Sequence, residues 1–329
     1  DHHHVPATKP PADAFINPWQ PGCEFEFKFL CSAGVAFYLC AALRTRLRAS
    51  AGANQSIPDP RSWIDLAALG TICDMVPLVG ENRVLVHQGL RSASMRRRPA
   101  LQALLRRARV GDRDEVTENF VAFTVGPRLN APGRIGPADP ALRLLCAGST
   151  KEASPILQRV EDINRARKRF QHEVVLEAGA SIDADPSALE RRSIVLSSPN
   201  WMHGVVGIAA SSLASRYGRP AFVMSEDEAT GELRGSARTS GELDVHRVLE
   251  EASSLLIRHG GHTAAAGFSL QRSNLDAFAS AVEEAVLRQH EELEDDPAVH
   301  FDGEVGLAKM SPSLLRDIRM AAPLRQGFP

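Results

Sequence analysis

The stretch Gly260-Gly261-His262-Thr263-Ala264-Ala265-Ala266-Gly267-Phe268 joins two adjacent glycines to a histidine and a run of small residues. Glycine has no Cβ, so its backbone N–H group can lie close to a bound ligand. If residues 260–263 lead from a loop into a helix, their free N–H groups and the positive end of the helix dipole favour a phosphate. The alternative is a structural turn before an alanine-rich helix, with a partly exposed histidine.

Strand and helix patterns alternate around this stretch, which predicts an α/β domain built on a sheet. Strands are expected at 193–197, 221–224, 231–238 and 267–270, and helices at 204–217, 243–257 and 275–292. The segment Arg234-Gly235-Ser236-Ala237-Arg238 adds a hydroxyl, a glycine N–H and two arginines at a strand end. These groups form a candidate anion site, with a solvent-facing strand end as the alternative.

A long charged helix is predicted before this domain. Among the Arg, Lys and Glu of residues 151–182, apolar residues recur near the helical period. They are Ile156, Val160, Ile163, Phe170 and Val174. The pattern predicts a helical connector between two domains, closed by a loop at 183–187.

The chain opens with Asp1-His2-His3-His4. The segment 15–19 reads as a short strand that stops at a proline, and in α/β domains functional side chains sit at the carboxyl ends of strands. Adjacent histidines there can bind a metal and a substrate oxygen, whereas the alternative is the remnant of a purification tag. The apolar run 29–43 predicts a core helix, because it is shorter than the roughly 20 residues that span a bilayer.

Asp74 lies in the otherwise apolar run 65–78. An unpaired charge in such a run is costly unless a cation or good hydrogen bonds meet it. Because cation ligands usually come in sets that include carboxylates, Asp74 is a candidate partner of the histidines. Helix capping is the alternative.

A further candidate anion site is the stretch 126–136, which holds three glycines, two prolines, Arg128 and Arg134. Rigid turns that present arginines at fixed spacing suit bidentate phosphate recognition. An ordinary glycine- and proline-rich turn is the alternative.

Composition limits the classes of function. The chain has 329 residues and a formal net charge of −2, so two or more domains are expected and any nucleic-acid binding must come from a local patch. Its five cysteines show no C-x-x-C spacing, which favours buried thiols in a reducing compartment and a cytoplasmic location.

Taken together, these segments resemble the DHH phosphoesterase superfamily, and more narrowly the RecJ-type single-strand-specific exonucleases, over nearly the whole chain. The matching segments are Asp1-His2-His3, Ile16-Asn17-Pro18, the run from Leu69-Gly70-Thr71 through Asp74 to Val76-Pro77-Leu78, Gly126-Pro127-Arg128-Leu129-Asn130-Ala131, Trp201 with residues 203–210, Arg219-Pro220-Ala221, and the opening stretch 260–268. The last of these is shared with small-oligonucleotide phosphodiesterases, whereas the arginine stretch, the connector and a third domain favour the RecJ type.

The resemblance implies an α/β fold. It places the carboxyl-terminal part of a DHH phosphoesterase domain, with a partial parallel sheet and helices, at 1–150, and a connector helix at 151–187. A second α/β domain, the DHH-associated nucleic-acid-binding domain, is expected at 188–292. The start of an OB-like β-barrel, with a strand at 299–305 and a helix at 311–320, is expected within 298–329.

The resemblance also implies a site with two divalent cations, Mn²⁺ or Mg²⁺, in the cleft between the two sheet domains. The cations activate a water and steady the charge on the scissile phosphate. The implied metal ligands are His2 and Asp74, with Asp1 orienting the site, and the implied phosphate contacts are His3 and His262. The residues expected to bind DNA phosphates, including the 5′ end of the strand, are Arg128, Ser236, Arg238, Gly260 and Gly261.

One departure from the family pattern concerns the metal ligands. In the family, an Asp-x-Asp and a further aspartate lie upstream of the DHH segment, and neither is present in this chain. The chain begins with Asp1 rather than methionine, and about thirty residues after 298 cannot bury a core alone. We therefore expect a fragment that binds manganese weakly and is inactive alone.

The leading functional interpretation is a metal-dependent 5′→3′ exonuclease for single-stranded DNA in recombination and repair, with a single-strand-binding protein and a helicase as possible partners and no membrane association. One alternative is a phosphodiesterase of short oligonucleotides or cyclic dinucleotides. Another is a non-catalytic strand-binding subunit of the replication machinery, although such a module does not need Asp1, His2, His3, Asp74 and His262.

Overall fold

The computed structural model describes residues 1–3, 5, 11–50, 56–185, 187, 190–239, 241–292, 301–324 and 327. The chain divides into two compact units. The first unit comprises 1–130, 140–159 and the segment after 300, and the second comprises 131–139 and 160–299.

Among its described residues, the first unit contains helices and irregular segments but no strand. Its helices are α1 (Ser32–Ser50), α2 (Ile64–Cys73), α3 (Gly80–Ser94), α4 (Pro99–Arg107), the start of α5 (Gly126–Ile135), α6 (Asp139–Cys146) and the start of α7 (Thr150–Ala184). Helices α2 and α3 cross at Gly89, where a Cβ would lie 2.3 Å from the Cβ of Ala68. The buried carboxylate of Asp65 accepts two hydrogen bonds from Arg98, at 2.7 and 2.8 Å, which compensates its desolvation.

The predicted strand at 15–19 is wrong, and the described residues of 1–150 contain no strand of the expected partial parallel sheet. Side-chain to backbone bonds replace a strand ladder at this point. The Asn17 side chain donates to the His3 carbonyl at 2.8 Å and accepts from the Trp19 N–H at 2.8 Å. These bonds fold the segment back onto the first residues of the chain.

The predicted glycine- and proline-rich loop at 126–136 is also wrong, because this stretch forms helix α5 up to Ile135. A π-helical turn, Val121–Val125, leads into it. Tertiary packing overrides the local propensity here. A Cβ on Gly126 would lie 2.9 Å from the Cys73 sulfur, and Ala131 is fully buried.

The second unit contains a five-stranded sheet and confirms the α/β class. The strands β1 (Ile194–Ser198), β2 (Ala221–Asp227), β3 (Glu232–Arg238), β4 (Leu256–His262) and β5 (Ala265–Gln271) lie in the order β1-β2-β3-β5-β4. Strands β1 and β2 are parallel, and the other pairs are antiparallel. The unit's helices, besides most of α7, are α8 (His203–Tyr217), α9 (Val245–Glu251) and α10 (Leu275–Glu292).

Alternate residues of β2 separate the two faces of this sheet. Phe222 and Met224 belong to a core with α9 and α10. Ala221 and Val223 belong to a second core with α7 and α8. One face is therefore covered by α9 and α10, and α8 packs on the other.

The prediction that the stretch 260–268 leads from a loop into a helix is wrong. Residues 256–262 form β4, which pairs with β5 in the register Gly260 opposite Gly267 and His262 opposite Ala265. The helix predicted at 243–257 ends at Glu251, after the Asp244 carboxylate has capped its start by accepting the N–H groups of residues 246 and 247. The small residues therefore belong to a hairpin.

The carboxyl-terminal segment contains the predicted helix, here α11 (Pro312–Met320), but residues 301–305 form no strand. Residues 299 and 300 of the predicted strand lie outside the described residues. The segment returns to the first unit, where Arg83 donates to the carbonyl of Pro323 at 2.9 Å. The OB-like barrel stays a prediction.

Among the described helices, none is long and apolar enough to cross a membrane.

The start of α8 gives a test of the fold. A Cβ on Gly204 would lie 1.6 Å from the Arg134 carbonyl oxygen. We expect Gly204→Ala to lower the free energy of unfolding of the second unit by about 1–3 kcal/mol, because the backbone must shift to avoid this overlap. Urea unfolding followed by circular dichroism measures the change.

The matched control is Gly241→Ala, because no atom lies within 4 Å of the Cβ that this substitution adds. Its unfolding curve is expected to coincide with that of the wild type. A Gly204→Ala protein as stable as the control would contradict the close packing of α8.

Candidate functional site

The first unit gathers the residues at the start of the chain into one cluster. One potential ligand atom from each of Asp1, His2 and His3 lies within 4.8 Å of the others. The Asp1 carboxylate accepts the backbone N–H of His2 at 2.7 Å and is 2.8 Å from Nδ1 of His3. Asp1 therefore fixes both histidines, which is compatible with the orienting role predicted for it.

His2 is held from both sides of its ring. Its Nε2 lies 2.9 Å from Oδ2 of Asp74, and its Nδ1 lies 2.8 Å from Oγ of Ser32. Burial lowers the pKa of His2; Asp74 acts in the opposite direction, and His3 and the terminal amine add to the lowering. A neutral imidazole beside a carboxylate, with its second nitrogen fixed by a hydroxyl, is a typical cation-binding arrangement.

Asp74 terminates helix α2 through its backbone, whose N–H donates to the Gly70 carbonyl at 2.9 Å. Its side chain is 38% exposed and reaches His2. A carboxylate at a helix carboxyl terminus is disfavoured by the helix dipole. A bound cation would offset this cost, so the position favours a ligand role over simple capping.

His3 differs from His2 in exposure. Its side chain is 67% exposed, whereas that of His2 is 15% exposed. The two rings are stacked at a tilt, with centroids 4.2 Å apart. An exposed imidazole next to a candidate cation ligand is free to face solvent, and the phosphate contact of His3 stays a prediction.

In the second unit, Ser236 and Arg238 lie against helix α8. A Cβ on Gly207 would be 3.0 Å from Nη2 of Arg238 and 3.1 Å from Oγ of Ser236. No side chain caps the first turn of α8, which begins after Met202. The hydroxyl and the guanidinium thus adjoin the second turn of α8, one turn beyond its uncapped start, and both are donors that suit an anion.

Arg238 is half-buried and has no acidic partner among the described residues. Its Nη1 donates to the carbonyls of Ala237 and Ala266, at 2.7 and 3.3 Å, and no carboxylate pairs with it among the described residues. Burial, and then the charge of Arg134, lower its pKa. An anion placed here would relieve both effects.

Arg134 was predicted only as part of the 126–136 anion site, and Arg128 was the residue chosen from that stretch as a phosphate ligand. Arg128 belongs to the first unit, where its Nη1 donates to the Thr124 carbonyl at 2.7 Å. Arg134 belongs to the same unit as Ser236 and Arg238, and its carbonyl touches the start of α8. The role predicted for Arg128 stays a prediction.

A cleft of about 380 Å³ lies on the second unit, and its wall includes Ser236 and Gly260, two of the predicted phosphate ligands. Arg234, Arg258, His203 and His259 also line it. Arg234 and Arg258 share the carboxylate of Glu232, at 3.1 and 3.7 Å, so positive charge remains in excess. Sequence reasoning missed both histidines and Arg258, although Arg258 and His259 directly precede the glycine pair.

The two glycines of β4 differ in what they require. No atom lies within 4 Å of the Cβ that an alanine at Gly260 would have, so packing does not explain this glycine. Gly261 has φ +152° and its Cβ would lie 2.4 Å from the Cα of Ala266, so the hairpin itself requires it. His262 ends β4 in an exposed position. The phosphate roles of these three residues stay predictions.

Residues 191–288 match the model of the DHHA1 domain family. The chain is 34% identical over 323 residues to the single-stranded-DNA-specific exonuclease RecJ of Bacillus subtilis, covering 98% of this chain and 39% of that protein. The crystal structure of RecJ in complex with Mn²⁺ from Thermus thermophilus matches 99% of this chain and 46% of its own, with TM-score 0.81 and 31% identity.

A second crystal structure, of exonuclease RecJ bound to manganese, matches 87% of this chain and 68% of its own, with TM-score 0.65 and 32% identity. This chain therefore spans less than half of the Bacillus and Thermus relatives and about two thirds of the other.

The contrast between His2 and His3 gives a direct test of the cluster. We expect Mn²⁺ bound to the chain to show nitrogen coupling from one imidazole in pulsed electron paramagnetic resonance, because His2 faces Asp74 and His3 is bonded to Asp1. His2→Gln should remove this coupling. His3→Gln is the matched control and should retain it. Coupling that survives in His2→Gln but is lost in His3→Gln would reverse the assignment.

Proposed function

The chain belongs to the RecJ family of exonucleases, and on that basis we propose that it supplies cation-binding and strand-binding parts of a single-stranded-DNA-specific 5′→3′ exonuclease. The reaction is metal-dependent phosphodiester hydrolysis, in DNA recombination and repair. The observation that carries the proposal is the anion site of the second unit, where Ser236 and Arg238 adjoin the second turn of α8 and Arg134 adjoins its uncapped start.

This site is suited to a terminal phosphate. A 5′-phosphate carries more charge than an internal phosphodiester and accepts more hydrogen bonds, so a guanidinium group without a carboxylate partner favours it. Arg238 provides a guanidinium without a carboxylate partner in the described part of the chain, and Ser236 provides a hydroxyl. Recognition of the terminal group would give the enzyme its polarity.

The first unit fits a divalent cation. His2 and Asp74 place an imidazole nitrogen and a carboxylate oxygen 2.9 Å apart, and nitrogen and oxygen donors suit Mn²⁺, with Mg²⁺ favouring the oxygens. When bound, such cations supply activation of a water and stabilisation of the phosphate charge. Asp1 orients the histidines through its carboxylate, and Ser32 fixes the ring of His2. His3 and His262 are proposed to contact the phosphate.

Domain limits, partners and location complete the proposal. We assign 1–150 to a DHH phosphoesterase domain, 151–187 to a connector, 188–292 to the DHH-associated domain and 298–329 to the start of a third domain. The match of 191–288 to the DHHA1 family supports the third of these limits. A single-strand-binding protein and a helicase are proposed partners, in the cytoplasm.

Strand binding tests the proposal most simply. Fluorescence anisotropy with 3′-labelled oligonucleotides should show tighter binding of single strands than of duplexes, and tighter binding of 5′-phosphorylated than of 5′-hydroxyl strands. A preference for dinucleotides over longer strands would instead favour a small-oligonucleotide phosphodiesterase. Equal affinity for single strands and duplexes would contradict the proposal.

Arg238 should account for the preference for a 5′-phosphate. Arg238→Ala is expected to weaken binding of the 5′-phosphorylated strand by roughly ten- to hundredfold, because a hydrogen bond to a charged group contributes about 1.5–3 kcal/mol. The 5′-hydroxyl strand should lose less. Equal losses for the two strands would reduce Arg238 to a general phosphate contact.

The matched control is Arg288→Ala. Arg288 lies on α10, on the opposite face of the sheet, and pairs with Glu251 at 2.7 Å. The Arg288→Ala protein should bind the 5′-phosphorylated and the 5′-hydroxyl strand with the affinity of the wild type. Arg238→Lys, which keeps the charge but not the fork of donors, separates loss of binding from loss of folding.

A further inference from the structure

A groove of about 380 Å³ lies between helices α7 and α8 of the second unit and has no role in the function proposed above. Its lining residues are Arg167, Lys168, Gln171, His172, Val175 and Ser212. The polar groups among them are cations, an imidazole, an amide and a hydroxyl. No carboxylate lines the groove, so its surroundings favour an anion.

Arg167 is the unusual residue of this groove. It is 7% exposed, and its two terminal nitrogens donate to neutral amide oxygens, Oε1 of Gln171 and Oδ1 of Asn164, both at 2.8 Å. No carboxylate pairs with it among the residues that the structure describes. A buried cation without a counter-charge is costly, so the fold keeps this arginine at the expense of stability.

The two amides orient the guanidinium rather than neutralise it. They use two of its five N–H donors, which leaves donors for a ligand. Burial, and then the like charge of Arg134, lower the pKa of Arg167. An anion in the groove would supply the missing counter-charge.

We propose that this groove binds a phosphate group, with Arg167 as the central ligand and Lys168, His172 and Ser212 around it. The phosphate belongs to the DNA strand whose 5′ end binds at Ser236 and Arg238. The inference thus rests on the proposed function and adds a second phosphate contact to it.

Helix α8 sets the separation of the two places. Gly207, which adjoins Ser236 and Arg238, and Ser212, in the groove, are five residues apart on this helix. At 3.6 residues per turn and 1.5 Å of rise per residue, they lie on different sides of the helix and about 7.5 Å apart along its axis. A strand that contacts both places must therefore pass around α8, which takes several nucleotides, and a dinucleotide held at its 5′ end does not reach the groove.

The test compares two variants on α7 that each remove one positive charge. Lys168→Gln alters the groove without touching the buried arginine. Arg165→Gln is the matched control, because Arg165 is exposed, pairs with Asp162 and does not line the groove. Arg167→Lys is a third variant that keeps the charge but loses the fork. Binding of 5′-phosphorylated thymidine dinucleotide and 12-mer is measured by anisotropy over a series of salt concentrations.

We expect Lys168→Gln and Arg167→Lys to weaken the 12-mer at least fivefold and to leave the dinucleotide unchanged. For Lys168→Gln, which removes a charge, the slope of log affinity against log salt should become less steep by about 0.7, the value for one lost phosphate contact on a single strand. Arg165→Gln should match the wild type. If Lys168→Gln also matches the wild type for the 12-mer, the groove does not bind the strand and the inference is overturned.

A second arm with inorganic phosphate, followed by calorimetry, identifies the source of the phosphate. Binding of free phosphate that Lys168→Gln abolishes, with strand binding unchanged, would overturn the strand as ligand. Failure of the proposed function can be distinguished from failure of this inference. It appears as absence of single-strand binding by the wild type, or as unchanged binding of the 5′-phosphorylated strand by Arg238→Ala.

Discussion

The close approach of helix α8 to the sheet is the constraint on which the second unit depends. Gly204 brings the first turn of the helix against the Arg134 carbonyl, and Gly207 brings its second turn against Ser236 and Arg238. Larger residues would hold the helix away from these groups. The same packing that builds the core with Ala221 and Val223 therefore places the helix start, a hydroxyl and two arginines together.

The second unit concentrates cations where the fold provides few counter-charges. Arg167 is buried and Arg238 is half-buried, and their described partners are carbonyl and amide oxygens. Burial, and then the charge of Arg134, lower the pKa of each. The net charge of the chain is nevertheless −2. Affinity for a polyanion thus depends on local burial and orientation, and not on a general basic field.

The sequence predicted elements with a clear local pattern of apolar residues better than elements and site residues that depend on tertiary packing. Strands β2 and β3 and helices α8 and α10 followed from local apolar patterns. Strand β4 is exposed and contains Gly260 and Gly261, so only its pairing with β5 defines it. His2 and Asp74, far apart in sequence, were predicted as a pair and lie in contact. Arg134 was predicted only as part of an anion-binding turn, and Arg167 was not among the chosen phosphate ligands, because their environment depends on which helix packs beside them.

Hydrogen–deuterium exchange, with and without a 5′-phosphorylated single strand, tests the central claim that the face of the sheet bearing α8 binds DNA. The first-turn N–H groups of α8 lack a side-chain cap, so their protection reports a ligand directly. The account predicts protection of 203–207, 234–238 and 258–260, and unchanged exchange in α10 on the opposite face. Protection confined to α10, or none in these three segments while the strand is bound, would contradict it.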